Sequence, residues 1–137
     1  MEFEIFEHTA DQGIIVRGTS LLEIFINAAK GLSALSTEPE QVKSVEEFDI
    51  EISRDDTDEL LVAWLNELIF IQDTEGVFLV KFEIFFLEPP LLKAKVWGEK
   101  MDRNKHTFKS CLKAATYHSL RLEQTGDGWY GQVIFDV

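Results

Sequence analysis

Asp56-Thr57-Asp58-Glu59-Leu60-Leu61-Val62-Ala63-Trp64-Leu65-Asn66-Glu67-Leu68-Ile69, running on to Gly76, is the stretch that decides the fold. Asp56 and Thr57 suit the start of a helix, and Asp58 and Glu59 put negative charge in its first turn, where the helix dipole favours it. Leu60, Leu61, Trp64, Leu65, Leu68 and Ile69 form one broad apolar stripe, and Gly76 suits the left-handed position that ends a helix. On both sides of this segment the hydrophobic period falls to two. Phe48, Ile50 and Ile52 alternate with Asp49, Glu51 and Ser53, which predicts a strand over residues 45–54. Downstream, Val77 to Leu87, Leu91 to Asp102, Leu112 to Glu123 and Trp129 to Val137 read as strands. Pro89-Pro90, Asp102-Arg103-Asn104 and Gly126-Asp127-Gly128 break them apart. Upstream, Phe3 and Ile5 mark one strand and Ile14 to Arg17 another, with Asp11-Gln12-Gly13 as the turn between them. Thr19-Ser20 then caps a second helix carrying Leu22, Ile24, Phe25, Ala28, Ala29, Leu32 and Leu35, ending by Ser36. Two helices among seven to eight strands in a non-alternating order predict an α+β fold, a helix-on-sheet sandwich with mostly antiparallel strands.

The 137 residues are 45 % hydrophobic and 12 % aromatic, which suits one domain over residues 1–137 with its own core. No apolar run approaches the ~20 residues needed to span a bilayer, and Met1-Glu2-Phe3-Glu4 lacks the basic start of a secretion signal. A cytoplasmic protein without a membrane partner is the expectation. The lone Cys111 has no mate for an intrachain disulfide and no thiol neighbour for zinc; it is expected as a small buried or half-buried hydrophobe.

The net charge of −12 argues against broad nucleic-acid contact, which needs clustered Lys and Arg. It would suit docking to a basic protein. The charge is uneven, since residues 91–121 hold eight of the 13 basic residues: Lys93, Lys95, Lys100, Arg103, Lys105, Lys109, Lys113 and Arg121. Lys93 and Lys95 alternate with Leu92, Ala94 and Val96, so they form either a solvated strand face or a contact for RNA or an acidic partner.

Two polar clusters sit beside apolar runs, where charge costs free energy unless partnered or used. One is His8-Thr9-Ala10-Asp11; the other is Lys113-Ala114-Ala115-Thr116-Tyr117-His118 with the closing Phe135-Asp136-Val137. Asp11 reads either as an aspartate bonding its own turn backbone or as a ligand. Asp136 shares a strand face with Tyr130, Gln132 and Ile134, and its side chain lies one residue from the Val137 carboxylate. Two carboxylates that close repel unless one protonates or a cation intervenes. With Asp11 they offer three hard oxygen donors and no sulfur, a set suited to Ca²⁺ or Mg²⁺ more than to zinc. His8 is either a group that holds Asp11 or a core histidine. Thr116 and His118 fall on one strand face with Leu112, Leu120 and Leu122, so their polar atoms should point inward and be hydrogen-bonded. Lys113 falls on the other face, with Ala115, Tyr117 and Arg121. His106 lies in a predicted loop with no nameable partner. No P-loop, nucleophile elbow, His-Glu-x-x-His motif or glycine-rich dinucleotide turn is present.

The succession His8-Thr9-Ala10-Asp11-Gln12-Gly13, Asp58-Glu59-Leu60-Leu61-Val62 with Trp64-Leu65-Asn66-Glu67-Leu68, Gly98-Glu99, Lys113-Ala114-Ala115-Thr116-Tyr117-His118 and Asp136-Val137 resembles the archease family over nearly the whole chain. Gln12, where that family more often has an apolar residue, and Cys111 are small departures. The resemblance implies that Asp11 and Asp136 are metal ligands, with the Val137 carboxylate as a third. It implies a divalent hard metal, Ca²⁺ foremost and Mg²⁺ or Mn²⁺ as alternatives. It gives Lys113 a functional position and leaves His8, Thr116 and His118 as supporting or partner-contacting groups. The acidic start of the helix at Asp58 also recurs there, so Asp58 is either a first-turn charge or a further ligand. The implied function is that of a metal-binding accessory protein, not an enzyme, which activates the tRNA-splicing RNA ligase by promoting its guanylylation and multiple turnover. A chaperone or specificity factor for a tRNA methyltransferase is the alternative. A metal-dependent hydrolase with Asp11 and Asp136 as acid and base stands third.

Overall fold

The computed structural model of the chain describes residues 2–8 and 11–137, the side chains of Glu7 and His8 excepted. Its strands are β1 (Phe3–His8), β2 (Asp11–Gly18), β3 (Glu46–Ser53), β4 (Val77–Glu88), β5 (Leu91–Lys100), β6 (Ala114–Ala115), β7 (Arg121–Thr125) and β8 (Gly128–Asp136). The helices are α1 (Leu21–Ser36) and α2 (Thr57–Glu75), with one tighter turn at Pro39–Gln41. Every strand pairing is antiparallel. One sheet runs β1-β2-β8-β6, with β7 also pairing β8, and the other runs β3-β5-β4. The α+β, helix-on-sheet architecture read from the sequence is therefore the architecture present.

The helices begin and end where their chemistry says. Ser20 caps α1 by accepting a hydrogen bond from the Glu23 N–H at 3.2 Å. Asp56 caps α2 in the same way, its carboxylate accepting from the Glu59 N–H at 2.7 Å. Gly76 closes α2 at φ 63°, a conformation that costs a glycine little. Leu60, Leu61, Trp64, Leu65, Leu68 and Ile69 all face the core, with Ile24, Phe25, Ala28, Ala29, Leu32 and Leu35 of α1. Leu22 is the exception among the positions assigned to α1's apolar stripe, being 42 % exposed.

Buried hydrogen bonds join the elements. The Trp64 indole N–H donates to the Phe25 carbonyl at 2.9 Å, and the Ser33 hydroxyl donates to the Leu79 carbonyl at 2.8 Å. Both polar groups would be costly to bury unpaired. Gly98 marks where β5 and β4 approach too closely for a side chain, since a Cβ there would lie 1.9 Å from the Phe78 carbonyl oxygen.

Two strand assignments need correction. Asp11-Gln12-Gly13 is not a turn: these residues open β2 and are paired with β1 and β8. The run Leu112 to Glu123 is not one strand. Only Ala114–Ala115 and the start of β7 pair with β8, and the chain between them turns at Ser119, which has φ 52°. The alternation of small and polar residues there imitates a strand, but Tyr117 and Leu120 close a local hydrogen bond, Leu120 N–H to Tyr117 carbonyl at 3.2 Å. No helix among the described residues is long and apolar enough to cross a membrane.

Candidate functional site

The site begins with strand register. Asp11 and Asp136, 125 positions apart in the chain, are direct partners across β2 and β8. Asp136 pairs on its other side with Ala114, and Asp11 pairs with His8. One row across the sheet is thus His8, Asp11, Asp136, Ala114. Directly opposed residues of an antiparallel pair share a face, with Cβ atoms about 5 Å apart, so the two side chains leave the sheet on the same side. Asp136 is exposed and Asp11 half-buried.

Like charges placed directly opposite one another disfavour the pairing unless a cation joins them. The donor set is hard oxygen, which fits Ca²⁺, Mg²⁺ or Mn²⁺. Among the described residues no three His, Cys, Asp or Glu side chains form a group able to hold a metal, so the pair supplies two donors of that kind. Val137, 43 % exposed, follows Asp136 directly. The side chain expected of His8 at this site lies outside the described residues, as do Thr9 and Ala10 of the same motif.

A strap, residues 113–118, ties this row to the second helix. The Lys113 N–H donates to the Asp136 carbonyl at 2.8 Å, and the Thr116 N–H and hydroxyl both donate to the Ile134 carbonyl, at 3.0 and 2.8 Å. The expected inward, bonded position of Thr116 is correct. His118 does not point inward, because the chain has left the sheet by then and His118 is exposed. The face proposed for Lys113 also fails: Ala115 is buried at 5 % exposure while Lys113 is exposed. Lys113 has no ion pair among the described residues, and its backbone bond places it beside the Asp136 end. Asn66, which the sequence reading passed over, holds the strap to α2. Its amide accepts from the Ala115 N–H at 2.7 Å and donates to the Ala115 carbonyl at 3.3 Å. An asparagine interrupting a helix otherwise rich in leucine was the available signal. Gln12 has a comparable part, accepting a hydrogen bond from the Ser110 hydroxyl and so tying β2 to the loop before Lys113.

Asp56 is the cap, while Asp58 is exposed, and its carboxyl is raised above the ordinary range by desolvation and then by the charge of Asp56. Cys111 is exposed, against expectation, because the loop carries it outward while Leu112 fills the core.

His106 is the larger surprise. Its side chain is fully buried, with Nδ1 accepting from the Asp102 N–H at 3.0 Å and Nε2 2.9 Å from Glu99. The first bond leaves Nδ1 without a proton, so Nε2–H donates to the carboxylate. Lys105 meets the other Glu99 oxygen at 2.6 Å. Hydrogen bonds from Lys105, the Lys43 backbone and His106, in that order, hold the Glu99 carboxyl down to about 2. Four more cations of the basic segment are similarly answered. Lys93 pairs with Glu51, Lys95 with Glu47 and Asp49, Lys109 with Glu38, and Arg121 with Glu123. This pattern favours the solvated-face reading of Lys93 and Lys95 over an RNA contact.

Comparison with known proteins agrees with the motifs. The model of the archease protein family matches residues 3–137. A protein named archease from Sulfurisphaera tokodaii is 36 % identical over 137 residues, covering 99 % of both chains. The solution structure of Methanobacterium thermoautotrophicum protein 1598 superposes with a TM-score of 0.82 at 34 % identity, again covering 99 % of both chains. A Thermotoga maritima crystal structure described as an archease and possible chaperone shares the fold, with a TM-score of 0.68 at 24 % identity, covering 98 % of this chain and 96 % of that one.

Proposed function

The chain belongs to the archease family, and on that premise we propose that it is a metal-binding accessory protein that activates a tRNA-splicing RNA ligase by promoting guanylylation and multiple turnover. The observation that carries the reading is the direct pairing of Asp11 with Asp136, beside the strap that begins at Lys113. Asp11 and Asp136 would hold a hard divalent metal, Ca²⁺ foremost, with an oxygen of Val137 as third donor. Bound there, the metal would supply the positive charge that offsets two facing carboxylates.

This chain's own residues would present the site to the ligase. Thr116 fixes the strap on Ile134, Asn66 fixes it on α2, and Lys113 brings a cation next to the carboxylates. His118, exposed on the same strap, would contact the partner. The ligase supplies the chemistry, and this protein acts as its activator in the cytoplasm, without a membrane. The test is single-turnover guanylylation of the cognate ligase with GTP, comparing wild type with Asp11→Ala, Lys113→Ala and Asp136→Ala. Strong stimulation by wild type, lost in folded variants, is the expected result; wild-type stimulation by Asp136→Ala would remove the basis of the mechanism. A chaperone for a tRNA methyltransferase is the second reading; the Thermotoga maritima structure is described as a possible chaperone, with no client named. Co-purification with the methyltransferase and no effect on ligation would favour it.

A further inference from the structure

The face of α2 turned away from the core carries Glu59, Ala63, Asn66, Glu67 and Phe70, spaced as one stripe along the helix. With Tyr117 and Arg54 this stripe lines a concavity of about 330 Å³. Phe70 and Tyr117 are each 59 % exposed within it. Single exposed aromatics need no explanation, but two rings facing one groove give the size and chemistry of an anchor site. The groove is also held in shape. Asn66 pins the strap at Ala115 by two hydrogen bonds, and the turn at Ser119 locks the backbone on the far side of Tyr117. A ring on so constrained a segment loses little freedom when a partner arrives.

The charge around the groove selects the partner. Glu67 makes no ion pair among the described residues. The hydrogen bond and charge of Asp56, then desolvation and Asp55, keep the Glu59 carboxyl above its ordinary range, a sign of crowded negative charge at this end of α2. Arg54, the groove's one cation, is tied to the Ser53 carbonyl at 2.7 Å. We propose that this groove receives an arginine- or lysine-bearing segment of a protein partner, the cation stacking on Tyr117 or Phe70 and pairing with Glu67. An aromatic face and a carboxylate together attract a cation. RNA phosphate would meet repulsion. The surface goes beyond the carboxylate site and needs no metal.

The experiment is an NMR titration of the ¹⁵N-labelled protein at near-physiological salt. The probes are a peptide of alternating glycine and arginine, a glycine–glutamate peptide of equal length, and an oligouridine. Shifts centred on Glu59, Asn66, Glu67, Phe70 and Tyr117 with the arginine peptide alone are expected. Tyr117→Ala and Phe70→Ala, which leave the charge unchanged, should each weaken binding about fivefold or more. Phe85→Ala, removing a ring 63 % exposed on β4, should leave affinity unaltered, as should Asp136→Ala, which separates this surface from the metal site. Equal affinity in all four variants would mean attraction to overall negative charge only and would overturn the proposal. So would tighter binding of the oligouridine or the acidic peptide. Unchanged melting temperatures of the two groove variants would confirm that lost binding is not lost folding.

Discussion

Glu99 and the Asp11–Asp136 pair are both carboxylate sites near strand ends, and their surroundings differ in kind. Glu99 is enclosed by donors of its own chain: Lys105, the Lys43 backbone and a buried His106. Asp136 stands opposite a second carboxylate, on an exposed strand end. The first arrangement has its hydrogen-bond donors and one cation, Lys105, built in, and holds the loop after β5 to the body of the protein. The second sets two carboxylates opposite each other across a strand pair, where an added cation would lower their repulsion. The lesson is that a carboxylate's use is told by what the fold sets beside it. Glu99 is read as structural, and the pair is the site proposed for the metal.

The largest effect that could break this contrast concerns metal. Calcium at about a hundred times its dissociation constant should stabilise the wild type by about 2.7 kcal/mol through mass action. Asp136→Ala should abolish that gain and cut ligase stimulation by about tenfold or more, while leaving the metal-free melting temperature unchanged or slightly higher. Thermal melts with calcium and with chelator check it. His106→Ala should do the reverse. It strips Glu99 and Asp102 of their ring partner and should cost about 2 kcal/mol in urea unfolding, with the calcium response intact.

Acid sharpens the contrast further. Because the folded Glu99 carboxyl is held near 2, below the ordinary 4.5, its contribution is fully present above 4.5 and is lost as pH falls from there towards 2. Urea midpoints measured across that window should fall more steeply in wild type than in Glu99→Gln. The smallest effect is at Asp58, whose raised carboxyl means that its charge opposes folding at neutral pH and that the penalty fades as acid protonates it. Asp58→Asn should therefore gain about 0.3 kcal/mol at pH 7, solvent screening keeping it small, and nothing at low pH.

Much of this was legible in the sequence. Helix periodicity, the caps Ser20 and Asp56, and Gly76 located both helices, because those signals are local. The site residues Asp11 and Asp136 could be named as candidates, yet their pairing depends on β2 and β8 meeting, which no local signal states. Asp11-Gln12-Gly13 looked like a turn because turn residues occur in strands whenever register demands them. The strap from Lys113 to His118 looked like a strand because small and polar residues alternate in it; tertiary hydrogen bonds that it donates to Asn66 and to the Ile134 carbonyl shape it instead. His106 was illegible for the same reason, its partner Glu99 being brought in by the end of β5.

The most direct test of the central claim is a calorimetric titration of the metal-free protein with calcium, run on wild type, Asp11→Asn and Asp136→Asn. One saturable binding event in wild type, removed by either substitution, is the expected result. Binding of undiminished affinity in both variants would place the metal elsewhere and contradict it.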